Sequence, residues 1–139
     1  MSSKLIKILV SALLIIVGAG AGALYIVLSD EPEQTSSGMT LDEMVENSYT
    51  TEEIRTDLPD GKFVLIQFQF ITDSTKGLEE IEKREFQIKN EFIKQSAELS
   101  AKDFKEDLSS LEENMKTAMN AHMEDGEIAE VLVINKVLQ

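Results

Sequence analysis

Residues 58–72, LPDGKFVLIQFQFIT, hold a turn and a strand in one run, and their reading decides the class of fold. Pro59 presets its φ, Asp60 bonds to nearby backbone and Gly61 tolerates positive φ, so Leu58–Lys62 reads as a tight turn. Phe63–Thr72 is dense in aromatic and β-branched residues and reads as a strand. Alternation puts Val64, Ile66, Phe68 and Phe70 on one apolar face. Phe63, Leu65, Gln67, Gln69 and Ile71 form a mixed face, so one side belongs to a core and the other is half wet. Upstream, Thr51–Leu58 supplies the other arm of a hairpin through Ile54, Thr56 and Leu58.

Downstream, Asp73–Gly77 reads as a loop and two helical patterns follow. In the first, Leu78, Ile81, Glu85, Ile88, Phe92 and Ser96 run down one side, with Phe86 and Ile93 widening the stripe. Glu79–Lys83, Glu80–Arg84 and Glu85–Lys89 are favourable pairs four residues apart on the wet side. Ser100 begins the second helix, with Asp103 three residues on in a capping-box pattern. Phe104, Leu108, Leu111, Met115 and Met119 make its seam, and Gly126 stands where a C-terminal cap glycine is expected. The seam spans under three heptads, which favours packing on the domain's own sheet over a coiled coil. Val131–Leu138, VLVINKVL, is short and β-branched and reads as a buried strand. Two antiparallel helices return the chain to the end of the Phe63–Thr72 strand, so the last strand pairs antiparallel beside it. The expected domain is α+β: a small antiparallel three-stranded sheet packed with two long helices, in the order helix-strand-strand-helix-helix-strand.

Ahead of this domain lies Ile8–Leu28, ILVSALLIIVGAGAGALYIVL, without a charge. At 1.5 Å rise per residue it spans about 30 Å, the thickness of a bilayer's hydrocarbon core. Lys4 and Lys7 precede it and every acid follows it. The positive-inside rule then places residues 1–7 in the cytoplasm and the domain outside. A cleaved secretory signal is the rival reading, with Ala19-Gly20-Ala21 as the small-residue site. Leu24–Leu28 argue against it, because cleavage would leave an apolar stub on a soluble protein. Gly18 and Gly22 form a GxxxG pair on one helix face, a candidate packing face in the membrane. Residues 29–39 begin with SDEPEQTSSG, polar with one Pro, and read as a flexible tether. Thr40 then caps a short helix over Leu41–Asn47, with Asp42 and Glu43 in its first turn. The domain occupies residues 40–139.

The chain has 139 residues, no cysteine, one histidine and a net charge of −13; without Lys4 and Lys7 the remainder carries −15. Such acidity excludes a general nucleic-acid or anionic-membrane surface. The absence of cysteine excludes disulfides and thiolate chemistry. His122 is the sole histidine, so no histidine cluster can hold a metal. Glu79-Glu80 and Glu112-Glu113 lie on helix faces read as solvated, with nothing to raise a carboxyl pKa for acid–base work. No catalytic constellation is found; the expectation is a non-enzyme without cofactor or metal.

Read together, these residues resemble a family. Thr56-Asp57-Leu58-Pro59-Asp60-Gly61-Lys62-Phe63 is similar to the "NLADGRY/F" turn-and-strand of the FliL family of flagellar basal-body-associated proteins. Leu78–Ser96 and the break at Ser96–Ser100 are similar to its first long helix and the "SSKT"-like junction. Gly126–Val131 and Val137-Leu138-Gln139 resemble its closing "GxVxxVxFTxFVIQ". Asp57 stands where the family has Asn, and Val133-Ile134-Asn135-Lys136 where it often has an FTEF run. The resemblance implies a single-pass membrane protein of the bacterial flagellar motor with a stomatin-like (SPFH) exterior domain. It also implies a homo-oligomer, a ring around the stator units that supports their function under load. Phe63 and Leu65, on the mixed strand face, are the candidate partner contacts; the competing reading buries them under the Leu41–Asn47 helix. The runner-up functions are a general stomatin-type membrane scaffold and an extracytoplasmic binding module.

Overall fold

The structure, a computed structural model, describes residues 3–28 and 38–139, and for residues 22–28 it gives the helical backbone. The chain divides into two compact units, residues 1–33 and 34–139. The described residues of the first form one helix, α1 (Ser3–Leu28), of 26 residues. It starts five residues before the expected Ile8, so Lys4 and Lys7 lie in its first turns. Its Ser3–Ala21 portion is long and apolar enough to cross a membrane. The expected tether falls mostly on residues 29–37, outside the described residues.

The second unit runs α2 (Leu41–Glu46), β1 (Ser48–Thr50), β2 (Ile54–Asp57), β3 (Phe63–Thr72), α3 (Thr75–Lys83), α4 (Glu85–Ser96), α5 (Ala101–Glu106), α6 (Leu108–Asn120) and β4 (Ile128–Leu138). The α+β class and the antiparallel sheet stand, but the three-stranded expectation is corrected to four strands. The strand missed is β1. It pairs Ser48–Thr50 with Gln69–Ile71, while β2 pairs Ile54–Asp57 with Phe63–Ile66. Because β4 takes the whole opposite edge of β3, β1 and β2 share one edge end to end. Thr51 bridges the gap between them: its N–H donates to the Phe68 carbonyl at 2.9 Å, and its hydroxyl accepts from the Phe68 N–H at 3.1 Å. A side-chain oxygen thus stands in for a strand carbonyl. Three residues of modest apolarity beside Asn47 carry no alternation long enough to read as a strand.

Central strand β3 divides its hydrogen bonds by parity. Phe63 and Gln139 exchange both backbone bonds, at 2.8 and 2.9 Å, and the antiparallel register carries this pattern along the odd residues. Even residues serve β1 and β2. Two irregularities in β4 absorb extra residues opposite Gln67/Phe68 and Ile71/Thr72.

Both long helices are broken. The first, expected as Leu78–Ser96, starts at Thr75, capped by Ser74, whose hydroxyl accepts from Gly77 N–H, and divides at Arg84. The second divides at Asp107, whose carboxylate caps α6 by accepting from Ser110 N–H. Most of the expected seam residues are buried: Ile81, Ile88, Phe92 and Ser96 on the first pair, Phe104, Leu111, Met115 and Met119 on the second; Leu78, Glu85 and Leu108 are half-buried. They close over Val64, Ile66, Phe68 and Phe70, all fully buried. Each such side chain contributes about 1.5–3 kcal/mol by leaving water. An edge-to-face series runs Phe68–Phe92 (5.4 Å) and Phe92–Phe104 (6.2 Å), linking sheet, α4 and α5. Phe86 and Ile93 do not widen the stripe; Phe86 is 69% exposed and Ile93 48%. The break at Arg84 comes between Ile81 and these residues, and the core face is already filled by Ile88 and Phe92.

Gly126 is not a helix cap. The helix α6 ends at Asn120, and Gly126 lies six residues beyond, with no positive φ. It makes a backbone contact instead, described below.

Candidate functional site

The mixed face of the sheet is polar in the middle of β3 and apolar at both ends. Toward the middle, the Gln67 amide donates to the Thr51 carbonyl at 2.9 Å and the Gln69 amide to the Ser48 hydroxyl at 3.0 Å. These side chains are committed to the β1 edge. Ile71 is buried at the far end, where Thr72 N–H and hydroxyl both donate to the Asn47 carbonyl beside α2. Phe63 lies nine residues from Thr72, about 30 Å along an extended strand. The reading that buries Phe63 and Leu65 under the Leu41–Asn47 helix is therefore wrong for Phe63.

At that open end, register places Arg55, Leu65 and Val137 in one row across three strands. Phe63 is 43% exposed and Val137 41%, and Leu65 is half-buried between them. The Arg55 guanidinium lies 4.8 Å from the Phe63 ring centroid, a cation–π contact that orients both. Across the face the Asn135 amide donates to Glu53 at 3.3 Å. The result is a groove of about 280 Å³ with an apolar floor of Phe63, Leu65 and Val137 and a rim of Glu53, Arg55 and Asn135. Its chemistry is that of a contact surface. Among the described residues, no group of three or more His, Asp or Glu is placed to hold a metal ion.

A second arrangement, not expected from the sequence, locks the loop after α6 onto α3. The Glu80 carboxylate accepts from Asp125 N–H at 2.7 Å and Glu124 N–H at 2.9 Å, and forms an ion pair with Arg84 at 2.6 Å. Burial opposes its ionisation, yet these donors outweigh burial and hold its pKa below the usual carboxylate value. Asp73 exchanges two further bonds with Glu127: N–H to carbonyl at 2.9 Å, and carboxylate accepting from Glu127 N–H at 3.0 Å. Between them Gly126 abuts Gly77 so closely that a Cβ on Gly126 would stand 2.6 Å from the Gly77 Cα. The expected Glu80–Arg84 pair forms, but not on a wet face: the Glu80 side chain is largely buried, and its further partners are loop amides 44 and 45 residues away, which no local spacing encodes.

The turn residue Asp60 has a similar double use. Its carboxylate accepts from Lys62 N–H at 3.1 Å within the turn and from Ala101 N–H at 3.0 Å, the first residue of α5. Those bonds, Ala101 first, lower its pKa. His122 lies half-buried with Nε2 3.4 Å from Glu91, which also pairs with Lys94 at 3.2 Å.

In α1, Lys4, Lys7 and Gly18 are exposed, and a Cβ on Gly18 would meet nothing within 4 Å. The surroundings of Gly22 lie outside the described residues.

No protein-family model matches the chain. It is similar to the flagellar protein FliL of Bacillus subtilis (strain 168), 32% identical over 124 residues, which cover 88% of this chain and 89% of that protein. The match thus takes in most of both chains, and the order of turn, strand, helices and closing strand follows the motifs through which the sequence resembles that family. The chain belongs to the FliL family of flagellar proteins.

Proposed function

We propose that this protein is a non-enzymatic accessory of the flagellar motor, anchored in the cell membrane by α1 with its N-terminus in the cytoplasm. In this reading residues 40–139 stand outside the membrane, assemble as a homo-oligomeric ring and associate with the stator units at the basal body. The stomatin-like likeness of the exterior domain belongs to the same proposal. The ring supports torque by binding the partner's active conformation better than its inactive one. The family membership carries the flagellar part. The partly exposed Phe63–Leu65–Val137 floor supplies a surface on which assembly can rest, since it is apolar, uncovered by the described helices and held by the sheet. Lys4 and Lys7 before the apolar run support the orientation.

The test has two parts. A fluorescent tag on the N-terminus is imaged beside a marker of the flagellar base; coincident spots are expected, and an even membrane distribution in flagellated cells favours the general membrane scaffold instead. Leu65→Glu is then compared with wild type for spreading in viscous soft agar. Reduced spreading at normal protein level is expected, and unimpaired spreading removes the contact role of this face.

A further inference from the structure

The outer edge of β4 is closed by side chains of α6 at two points and left open between them. Register turns the N–H and C=O of Val131 and Val133 away from β3, because they stand opposite Phe70 and Phe68, whose own groups serve the β1 side. At Val133 the outward N–H donates to the Glu112 carboxylate at 2.8 Å. At Ile128 the Asn120 side chain imitates a neighbouring strand: its amide donates to the Ile128 carbonyl at 3.0 Å and its oxygen accepts from the Ile128 N–H at 2.7 Å. Val131 lies between these clamps and, among the described residues, has no such cover. A groove of about 420 Å³ opens there, lined by Val131, Glu130, Glu112, Glu113, Lys116 and Ser109. An unpaired strand edge recognises extended polypeptide through its backbone whatever the sequence. The groove then selects by charge, with three carboxylates against one ammonium.

We propose that the β4 edge at Val131–Val133 accepts an extended, basic segment of a partner protein, which adds antiparallel as a further strand. Its lysine or arginine side chains recur at every second residue. In an antiparallel pair, residues directly opposite project to the same face. Cations opposite Val131 and Val133 therefore reach the α6 side, where Glu112 and Glu113 stand. Glu112 holds the place of an incoming carbonyl. When the segment binds, its carbonyl takes the Val133 N–H and the released Glu112 carboxylate pairs with the neighbouring cation. This site uses neither the Phe63 face nor the anchor, so it stands or falls apart from the flagellar reading.

The probe is an end-blocked heptapeptide of alternating lysine and threonine, labelled for fluorescence anisotropy and titrated with the full chain in phosphatidylcholine nanodiscs. Saturable binding is expected, weakened at least tenfold by the double substitution Glu112→Gln and Glu113→Gln. Two N-methylated peptides give the decisive readout. Methylating the lysine nitrogens removes the N–H groups that face β4 and abolishes binding; methylating the threonine nitrogens, which face solvent, leaves it. These peptides leave the protein untouched, so misfolding of a variant cannot imitate the result. Val131→Pro, which removes the outward donor, is expected to weaken binding of the unmethylated peptide. Absence of saturable binding overturns the proposal. So does equal binding of the two methylated peptides, which would mean attraction to an acidic surface without strand addition, and so does equal binding of a glutamate–threonine peptide.

Discussion

Substituting Gly126 by alanine tests the contact that locks the α6–β4 loop to α3. The new Cβ would stand 2.6 Å from the Gly77 Cα and 2.9 Å from the Gly77 nitrogen, closer than carbon atoms approach without displacement. Both obstacles are backbone atoms, so no rotamer change relieves them. Gly77 is itself confined, since a Cβ there would stand 3.0 Å from the Thr72 Cβ. Overpacking of this kind costs about 1–3 kcal/mol. Gly126 has no positive φ, so the alanine backbone is not itself strained, and the entropy removed from the unfolded chain returns about 0.4–1 kcal/mol. Contacts of 2.6 and 2.9 Å with backbone place the overpacking cost in the upper part of its range, so a net loss of about 1–2.5 kcal/mol lowers the melting temperature of a domain this size by about 4–20 °C. The assay is thermal unfolding of the full chain in detergent, followed by circular dichroism in the near ultraviolet to isolate the domain's packed aromatics. Gly20→Ala, where a Cβ meets nothing within 4 Å, is the control and leaves the melt unchanged. A Gly126→Ala protein that melts within about 2 °C of wild type would refute the close-contact reasoning.

Glu80→Gln forces an amide N–H₂ against either the Arg84 guanidinium or the Asp125 N–H, and is expected to cost about 1.5–3 kcal/mol by the same melt, the range for hydrogen bonds to charged groups. An unchanged melt would mean the loop is held without this carboxylate. Acid should destabilise the domain. Glu80, Glu85 and Glu91 have lowered folded pKa values: Lys89 leads for Glu85, whereas burial opposes the bonds that prevail at Glu80 and Glu91. A group depressed on folding stabilises above its unfolded pKa, about 4.3, and that stability is lost as pH falls through the folded value. Melting temperature is thus expected to be level from pH 7 to 5 and to drop below about pH 4; a rise there would show that relief of the acidic self-repulsion dominates. In the anchor, Gly18→Ile with Gly22→Ile is expected to reduce disulfide-free crosslinking between copies in membranes, and unaltered crosslinking would remove the packing-face reading.

The elements legible in the sequence were those with a long period. Phe63–Thr72 alternates over ten residues and the buried seam from Ile81 to Phe92 repeats at helical spacing, so both could be read without tertiary context. What escaped was set by partners distant in the chain. The strand β1 exists because Phe70 and Gln69 lie ready to pair with Tyr49 and Thr50, not because its own three residues demand it. The breaks at Arg84 and Asp107 have no proline or glycine to announce them. Exposure of Phe86 was hidden because its spacing fits the apolar stripe, and only the filled core shows that there is no room for it. The apolar half of the candidate contact face was legible as far as Phe63 and Leu65. Val137 joins them only through register, and Arg55 only through the hairpin.

The parity of β3 also bears on the order in which the domain can form. Its even amides are served by neighbours within residues 47–58, so that half of the sheet closes over short loops. Its odd amides wait for β4, which returns only after four helices have been made. Loop closure costs more for the longer span, and the reward comes late. During synthesis, a chain whose hairpin has formed but whose closing strand has not yet docked presents Leu65, Gln67 and Gln69 as an open, aggregation-prone template beside its siblings. The acidic surplus, the larger part of which lies ahead of β3 in residues 29–58, keeps such nascent chains apart during that interval. Pulse-labelled hydrogen exchange that protects the even amides of β3 before the odd ones would report this order, and simultaneous protection would exclude it.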